Sequence, residues 1–188
     1  AAARQYRRTT MSSAALASHK ILVDKSDPYA IAAYNIVRTR LLQRLAANEW
    51  SSVAVTGSQP GEGKSLTAIN LAIALARDEN TWVYLVDMDL KRPSIATQLG
   101  LEVEQDLSDY LNGTAQIEDV IYDPGIPRLA VLPNRGTAEH PSELLGSARM
   151  DALVEHLKSE RPRRVIIYDM PPLMVSDDVL TFAPRVDG

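Results

Sequence analysis

Cysteine is absent from the 188-residue sequence, which excludes a disulfide scaffold and a metal site built on thiolates. No apolar run approaches the ~20 residues of a membrane-spanning helix, and no stretch has the pattern of a secretory signal. The formal net charge is only −4, which argues against a nucleic-acid partner. The hydrophobic fraction of 45% and the charged fraction of 23% are typical of a globular domain, and the length suits one α/β domain.

The stretch from Ser58 to Ser65 has the form of a phosphate-binding loop. It follows an apolar run, Val53–Val55, and leads into residues 66–75, whose pattern predicts a helix. The glycines let backbone N–H groups close around phosphate oxygens, and the helix N-terminus adds the positive end of its dipole. Lys64 would reach the β- and γ-phosphates, and the Ser65 hydroxyl would bind Mg²⁺. The predicted nucleotide-binding residues are Ser58, Gln59, Pro60, Gly61, Glu62, Gly63, Lys64, Ser65 and Leu66.

The loop departs from the strict pattern at one position. That pattern has glycine where this sequence has Ser58, and the nearest glycine is Gly57. A Gly- and Pro-rich turn between a strand and a helix is the alternative interpretation. The flanking strand and helix favour the phosphate-binding loop.

Apolar strands alternate with helical patterns along the rest of the chain. Strands are predicted at residues 53–55, 81–86, 128–133 and 164–168, with a short extended run at 21–23. Helices are predicted from residue 28 onwards, at 66–75, at 107–113, and through the region 141–157. Alternation with short connections predicts an α/β P-loop NTPase fold, a doubly wound and mostly parallel sheet with helices on both faces. We expect this domain to span residues 21–188, and the polar, basic residues 1–20 to be a flexible tail or linker.

The helix that begins at Pro28 has Asp27 as its expected N-cap. Its apolar residues recur at helical spacing, which predicts that one face packs on the domain; they are Ile31, Tyr34, Val37, Leu41 and Leu45. Three arginines at 38, 40 and 44 fall outside this set. They are either solvated or part of an interface.

Three aspartates close apolar strands. Asp87 and Asp89 follow the strand at 81–86, and Asp169 closes the strand at 164–168. In an extended stretch Asp87 and Asp89 would face one side, towards a nucleotide if their strand adjoins the strand before the phosphate-binding loop. Phosphoryl transfer needs carboxylates that hold Mg²⁺ and position a nucleophile. Each aspartate alone could be a helix cap or a turn residue, but the three together with the loop predict a magnesium–nucleotide site.

Two cations follow the paired aspartates. Lys91 and Arg92 would either stabilise phosphate charge or pair with acidic neighbours, and the sequence leaves both interpretations open.

Five blocks of the sequence resemble the bacterial tyrosine kinase family, whose cytoplasmic P-loop domains accompany exopolysaccharide and capsule chain-length proteins. The blocks are residues 58–65, 87–93, 107–113, 140–145 and 169–177. The resemblance implies ATP and Mg²⁺ as cofactors, with Lys64 and Ser65 on the phosphates and the metal. It also implies that Asp87 is the catalytic base, and that Asp89 and Asp169 organise Mg²⁺ and its water. The implied catalytic group is thus Lys64, Asp87 and Asp89, and the implied metal ligands are Ser65, Asp87 and Asp169.

The same resemblance implies a reaction and partners. The ATP γ-phosphate would pass to tyrosines, often in the kinase's own C-terminal tail. A membrane chain-length or co-polymerase activator, separate or fused upstream, would engage the domain, which would form a homo-oligomer. The expected location is cytoplasmic and peripheral, at the inner face of the plasma membrane.

Three features of the sequence depart from that family's pattern. Its first helix often carries Glu-x-x-Arg-x-x-Arg, where this sequence has Ala32, Asn35 and Arg38. Lys91 replaces the usual arginine after the paired aspartates, and no C-terminal tyrosine cluster is present.

Two other functions are compatible with these motifs. One is a partition or cell-division ATPase, which carries a lysine where this chain has Gln59. The other is a non-catalytic assembly protein that binds ATP and regulates a polysaccharide polymerase.

Overall fold

A computed structural model of the chain describes residues 6–23 and 27–188. In these residues a single sheet of six strands has the order β1-β4-β5-β3-β6-β2. All neighbouring strands are parallel except β4 and β5, which are antiparallel. The strands are β1 Arg7–Arg8, β2 Ser52–Val55, β3 Trp82–Asp87, β4 Tyr122–Asp123, β5 Leu129–Leu132 and β6 Arg164–Asp169. The predicted mostly parallel sheet is confirmed.

Helices cover both faces of this sheet. Alternate residues of the central strands enter different cores: Tyr84 and Val86 face one core, and Val83 and Leu85 face the other. This double burial explains why the parallel strands are continuous apolar runs. The helices in the described residues are α1 Ser13–Ser18, α2 Pro28–Asn48, α3 Lys64–Ala76, α4 Ile95–Leu99, α5 Leu107–Leu111, α6 Pro141–Leu145, α7 Ala148–Glu160 and α8 Asp178–Phe182, with 3₁₀ turns at Ile117–Asp119 and Ala183–Arg185. Among them we find no helix with the length and apolar character needed to cross a membrane.

Helix α2 begins where the sequence predicted. The Asp27 carboxylate accepts hydrogen bonds from the first backbone N–H groups, and Pro28 is the first helical residue. Leu45 is buried, but Val37 is 47% exposed, so the predicted packing face is wrong at Val37. Arg38 is not simply solvated, because its guanidinium donates to the Ala74 carbonyl at 3.3 Å.

The described part of the predicted tail, residues 6–20, is folded. We call residues 6–23 the 6–23 segment. Arg7–Arg8 forms the edge strand β1 against β4, and Ser12 caps α1. The run at 21–23 is not a strand, although Ile21 is buried and the Leu22 N–H donates to Asn70 Oδ1 at 2.8 Å. Residues 1–5 lie outside the described part of the chain.

The spacing of apolar residues explains why the sequence suggested a tail. Tyr6, Met11, Leu16 and Ile21 lie five residues apart, and all four pack against the two cores. A spacing of five matches neither the helical nor the strand period, so pattern analysis misses the segment.

Candidate active site

The phosphate-binding loop connects β2 to α3. Gly63 has φ +82°, a left-handed conformation that glycine adopts without strain, and no side chain caps α3. The first N–H groups of α3 can therefore bind an anion. Glu62 closes the loop, because its carboxylate accepts hydrogen bonds from Ser58 Oγ at 2.7 Å and Ser58 N at 2.8 Å. The Ser58 hydroxyl is the main cause that lowers the pKa of Glu62.

Strand order decides which carboxylate lies nearest this loop. Strand β6 lies between β2 and β3, and Asp169 is in register with Val55 on one side and with Asp87 on the other. The sequence predicted that Asp87 would face the nucleotide if its strand, β3, lay next to β2, the strand before the phosphate-binding loop. Strand β3 does not lie next to β2. Asp169 ends the neighbouring strand instead.

Asp169 is a buried carboxylate without a hydrogen-bond partner. It is 1% exposed, and neither of its oxygens has a partner in the described structure. Burial raises its pKa to about 7; the Ser65 hydroxyl beside it acts in the opposite direction, although it does not complete a hydrogen bond. Unpaired buried carboxylate oxygens are costly unless a cation or a proton satisfies them. They are suitable ligands for Mg²⁺.

Asp87 shares this buried environment. Its Oδ2 accepts hydrogen bonds from Ser94 N and Ile95 N, both at 3.0 Å, while its buried Oδ1 has no partner. Burial, followed by the charge of Asp169, raises the pKa of Asp87 well above its usual range. Two carboxylates side by side on adjacent strands repel unless a cation or a proton lies between them. The pair therefore fits a magnesium site.

Asp89 has a different environment from Asp87. It follows the end of β3, and its Oδ1 accepts hydrogen bonds from Lys91 N at 3.3 Å and Arg92 N at 2.9 Å. Asp89 lines a surface cavity, whereas Asp87 is fully buried. The two carboxylates thus differ in exposure, although the charge of Asp89 contributes to the raised pKa of Asp87.

The cavity brings most of the predicted nucleotide-binding residues together. Its volume is about 510 Å³, within the range of small-molecule sites. The predicted residues that line it are Pro60, Gly61, Gly63, Lys64, Ser65, Leu66 and Asp89. The predicted residues that do not line it are Ser58, Gln59, Glu62, Asp87 and Asp169.

Sequence analysis missed Asp178 and left the role of Lys91 open. Lys91 Nζ lies 2.9 Å from Asp178 Oδ2, so this lysine pairs with an acidic residue far along the chain. The only signal was the Ser-Asp-Asp sequence after Pro171-Pro172. The Arg92 side chain, by contrast, is exposed and has no hydrogen bond or ion pair within residues 6–23 and 27–188.

The described side chains of this site do not by themselves provide a full set of metal ligands. Among the described residues, no three His, Asp or Glu side chains are grouped to hold an ion. Mg²⁺ is commonly held by one or two carboxylates together with substrate phosphates. Ser65, Asp87 and Asp169 fit that mode of binding.

The fold and this cavity define a P-loop nucleotide-binding protein. Residues 53–174 match the model of the CobQ/CobB/MinD/ParA nucleotide binding domain, which is more than half of the chain. The chain belongs to this family.

Individual relatives agree with the predicted resemblance. Tyrosine-protein kinase ptk of Acinetobacter johnsonii is 32% identical over 160 residues, which is 85% of this chain and 22% of that protein. Tyrosine-protein kinase CpsD of Streptococcus agalactiae is 30% identical over 156 residues, which is 82% of this chain and 66% of that protein. The kinase domain of Escherichia coli tyrosine kinase ETK superposes with a TM-score of 0.80 at 25% identity, covering 96% of this chain and 74% of that one. The resemblance to bacterial tyrosine kinases is confirmed. The chain spans less than two thirds of the length of ptk and of CpsD.

Proposed function

We propose that this chain is the catalytic domain of an ATP- and Mg²⁺-dependent protein-tyrosine kinase that regulates exopolysaccharide or capsule production. The observation that carries the proposal is one cavity lined by Lys64, Ser65 and Asp89, with buried Asp87 and Asp169 behind it. The tyrosine specificity is supported by the names of the relatives. The acceptors include tyrosines of the kinase itself.

Each residue has a defined part in the proposed reaction. The N–H groups of the loop and Lys64 would bind the nucleotide phosphates, and Ser65, Asp87 and Asp169 would hold Mg²⁺. The metal, when bound, neutralises charge that develops on the transferred phosphoryl group. The tyrosine oxygen attacks the γ-phosphorus, the bond to the β–γ bridging oxygen breaks, and ADP departs. Asp87 is the proposed base for the tyrosine proton, and Asp89 at the cavity wall would hydrogen-bond water around a bound metal.

The proposal includes a cellular context. The domain acts in the cytoplasm, peripherally at the inner face of the plasma membrane. A membrane chain-length or co-polymerase protein activates it, as a separate chain or fused upstream, and the domain works as a homo-oligomer. No nucleic-acid partner is expected, in keeping with the net charge of −4.

The alternative is an ATP-binding assembly or switch protein without kinase activity. The altered first-helix motif at Ala32 and Asn35 favours this alternative, because the matching family positions carry charged side chains. The matched family model includes MinD and ParA, so it does not separate a switch from a kinase. Gln59, where partition-type ATPases have lysine, favours the kinase.

The test is phosphotyrosine formation by the purified protein with ATP and Mg²⁺, with and without its candidate membrane partner. We expect a phosphotyrosine signal on an immunoblot that Lys64→Met abolishes, because Lys64 binds the transferred phosphate. The variant should keep the thermal midpoint of the wild type, since Lys64 is at the cavity surface. Phosphorylation by the Lys64→Met variant would refute the site assignment. ATP binding without any phosphotyrosine would favour the assembly protein.

A further inference from the structure

The ion pair between Lys91 and Asp178 connects the nucleotide cavity to a buried carboxylate. The Lys91 side chain is 37% exposed and lines the cavity, whereas the Asp178 side chain is 1% exposed. Two serine hydroxyls donate to the same carboxylate, Ser142 Oγ at 2.6 Å and Ser176 Oγ at 2.8 Å. Asp178 is therefore a fixed anchor for the lysine.

The Asp178 carboxylate also stays negatively charged. Burial alone would raise the pKa of Asp178, but the hydroxyl of Ser142, the ammonium of Lys91 and the hydroxyl of Ser176 together lower it below its usual value. A carboxylate that accepts several hydrogen bonds and faces a cation stays ionised at neutral pH. Asp178 thus presents a permanent negative charge to Lys91.

The backbone around Lys91 is held as firmly as its side chain. The Lys91 N–H donates to Asp89 Oδ1 at 3.3 Å, and the Lys91 carbonyl accepts from Thr137 Oγ1 at 3.0 Å. The adjacent Leu90 carbonyl accepts from Ala138 N at 2.8 Å. The ammonium carries three N–H donors, so the ion pair leaves donors for a ligand in the cavity.

We propose that Lys91 is a second cation for the terminal phosphate of a bound nucleotide, and that Asp178 is its positioning residue. The inference rests on the proposed function in one respect, that the cavity binds ATP. A lysine on a flexible stem loses side-chain freedom when it contacts a phosphate, and a lysine already anchored loses less. Within the described part of the chain the Arg92 side chain has no such anchor, which distinguishes it from Lys91.

The test is calorimetric titration of the protein with Mg²⁺-ATP and Mg²⁺-ADP. We expect Lys91→Met to weaken ATP binding about tenfold, the factor that 1.4 kcal/mol represents, and to change ADP binding by less than about twofold. Asp178→Asn should weaken ATP binding about three- to tenfold, because the asparagine keeps one carbonyl oxygen as an acceptor for a serine hydroxyl but no longer attracts the ammonium. In the double variant the loss should equal that of Lys91→Met alone, since Asp178 acts through Lys91. Lys91→Arg keeps the charge and should bind ATP like the wild type.

Two control variants separate positioning from stability. Asp151→Asn removes another aspartate that pairs with a cation, because Asp151 Oδ1 lies 2.6 Å from Arg185 Nε and its side chain is 58% exposed. It should leave both nucleotide affinities unchanged. Ser142→Ala removes a hydrogen bond from Asp178 but keeps the charge opposite Lys91. If Ser142→Ala lowers ATP affinity as much as Asp178→Asn does, Asp178 has only a structural role and the proposal is wrong.

Other outcomes would also overturn the proposal. They are equal losses of ATP and ADP affinity in Lys91→Met, additive losses in the double variant, or a wild-type protein that binds ATP no better than ADP. A protein that prefers ATP in a Lys91-dependent manner but never forms phosphotyrosine would refute only the proposed kinase function. A wild-type protein that binds neither nucleotide would refute both.

Discussion

At the scale of single residues, the buried carboxylates of Asp87 and Asp169 form one electrostatic unit. They are in register on β3 and β6. Burial followed by the charge of Asp169 raises the pKa of Asp87, and burial, with a further contribution from the charge of Asp89, raises the pKa of Asp169. Neutralising one of them should relieve repulsion in the nucleotide-free protein. Such a substitution would lower catalysis without lowering the stability of the protein.

Asp87→Asn is therefore expected to keep or raise the thermal midpoint while lowering phosphoryl transfer at least about 100-fold, the usual contribution of a general base. ATP affinity, measured by calorimetry, should change much less than the transfer rate. Asp151→Asn is the matched control, since it makes the same chemical change at a surface aspartate that does not line the cavity, and it should leave the transfer rate unchanged. Equal losses of ATP affinity and transfer rate in Asp87→Asn would mean that Asp87 acts only as a metal ligand and not as the base.

Asp187 supports a pH-dependent part of the stability. Its Oδ2 accepts hydrogen bonds from Ser51 N, Ser52 N and Ser52 Oγ at 2.8, 3.0 and 2.9 Å. Partial burial opposes this effect, but the net pKa of Asp187 is lowered in the folded protein. A lowered folded-state pKa contributes stability above the unfolded pKa, and that contribution is lost as the pH falls through the folded value.

We expect Asp187→Asn to lower the free energy of unfolding by about 2 kcal/mol at pH 7, as for hydrogen bonds to a charged group. The difference from the wild type should be complete above about pH 5 and shrink as the pH falls towards 2. Urea unfolding at a series of pH values measures it. A difference that stays constant down to pH 2 would show that the charge of Asp187 is not responsible.

At the scale of elements, the 6–23 segment reaches the active-site side of the molecule through α4. Ser12 N donates to the Leu99 carbonyl at 3.1 Å, beside Gly100, which ends α4 with φ +64°. A Cβ atom at Gly100 would lie 2.4 Å from the Cβ of Ser12 and 2.9 Å from that of Ala15. The opposite end of α4 supplies the N–H groups that bind Asp87. The segment thus packs on the helix that holds a proposed catalytic carboxylate.

Gly100→Ala should therefore destabilise the protein by about 2 to 4 kcal/mol, the sum of left-handed backbone strain and overpacking. Gly125→Ala is the matched control, because Gly125 has φ +87° and nothing lies within 4 Å of an added Cβ. It should cost only the strain, about 1 kcal/mol. Equal costs in urea unfolding would mean that α1 does not pack against Gly100.

Some elements of the fold could be predicted from the sequence and others could not. The strands at β3 and β6 were predictable because both faces are buried, and the start of α3 was predictable from its glycine loop. Strand β4, helix α4 and the 6–23 segment were not, because short elements with irregular apolar spacing carry no periodic signal. In the site, Lys64 and Ser65 follow from a local motif, whereas the Lys91–Asp178 pair depends on a contact between distant segments.

At the scale of the whole molecule, binding and folding are linked. A ligand that binds only the folded state at 100 times its dissociation constant adds about 2.7 kcal/mol to the stability. For a chain of this size that corresponds to a rise of about 5 to 10 °C in the thermal midpoint. We expect Mg²⁺-ATP to cause such a rise in the wild type but not in the Lys64→Met variant, as measured by calorimetric or fluorescence melting. An equal rise in both proteins would place the nucleotide elsewhere.

The contact between Tyr6 and Glu160 has a consequence for synthesis on the ribosome. The Tyr6 hydroxyl donates to Glu160 Oε1 at 2.8 Å across a separation of 154 residues. At about 5–20 residues per second, some 8 to 30 s pass between the emergence of the two partners. During that interval Ile21 and Leu22 remain without part of their final packing. Strand β1 cannot pair until β4 has been synthesised. A nascent chain of this protein therefore completes the contacts of the 6–23 segment only after Glu160 has been synthesised.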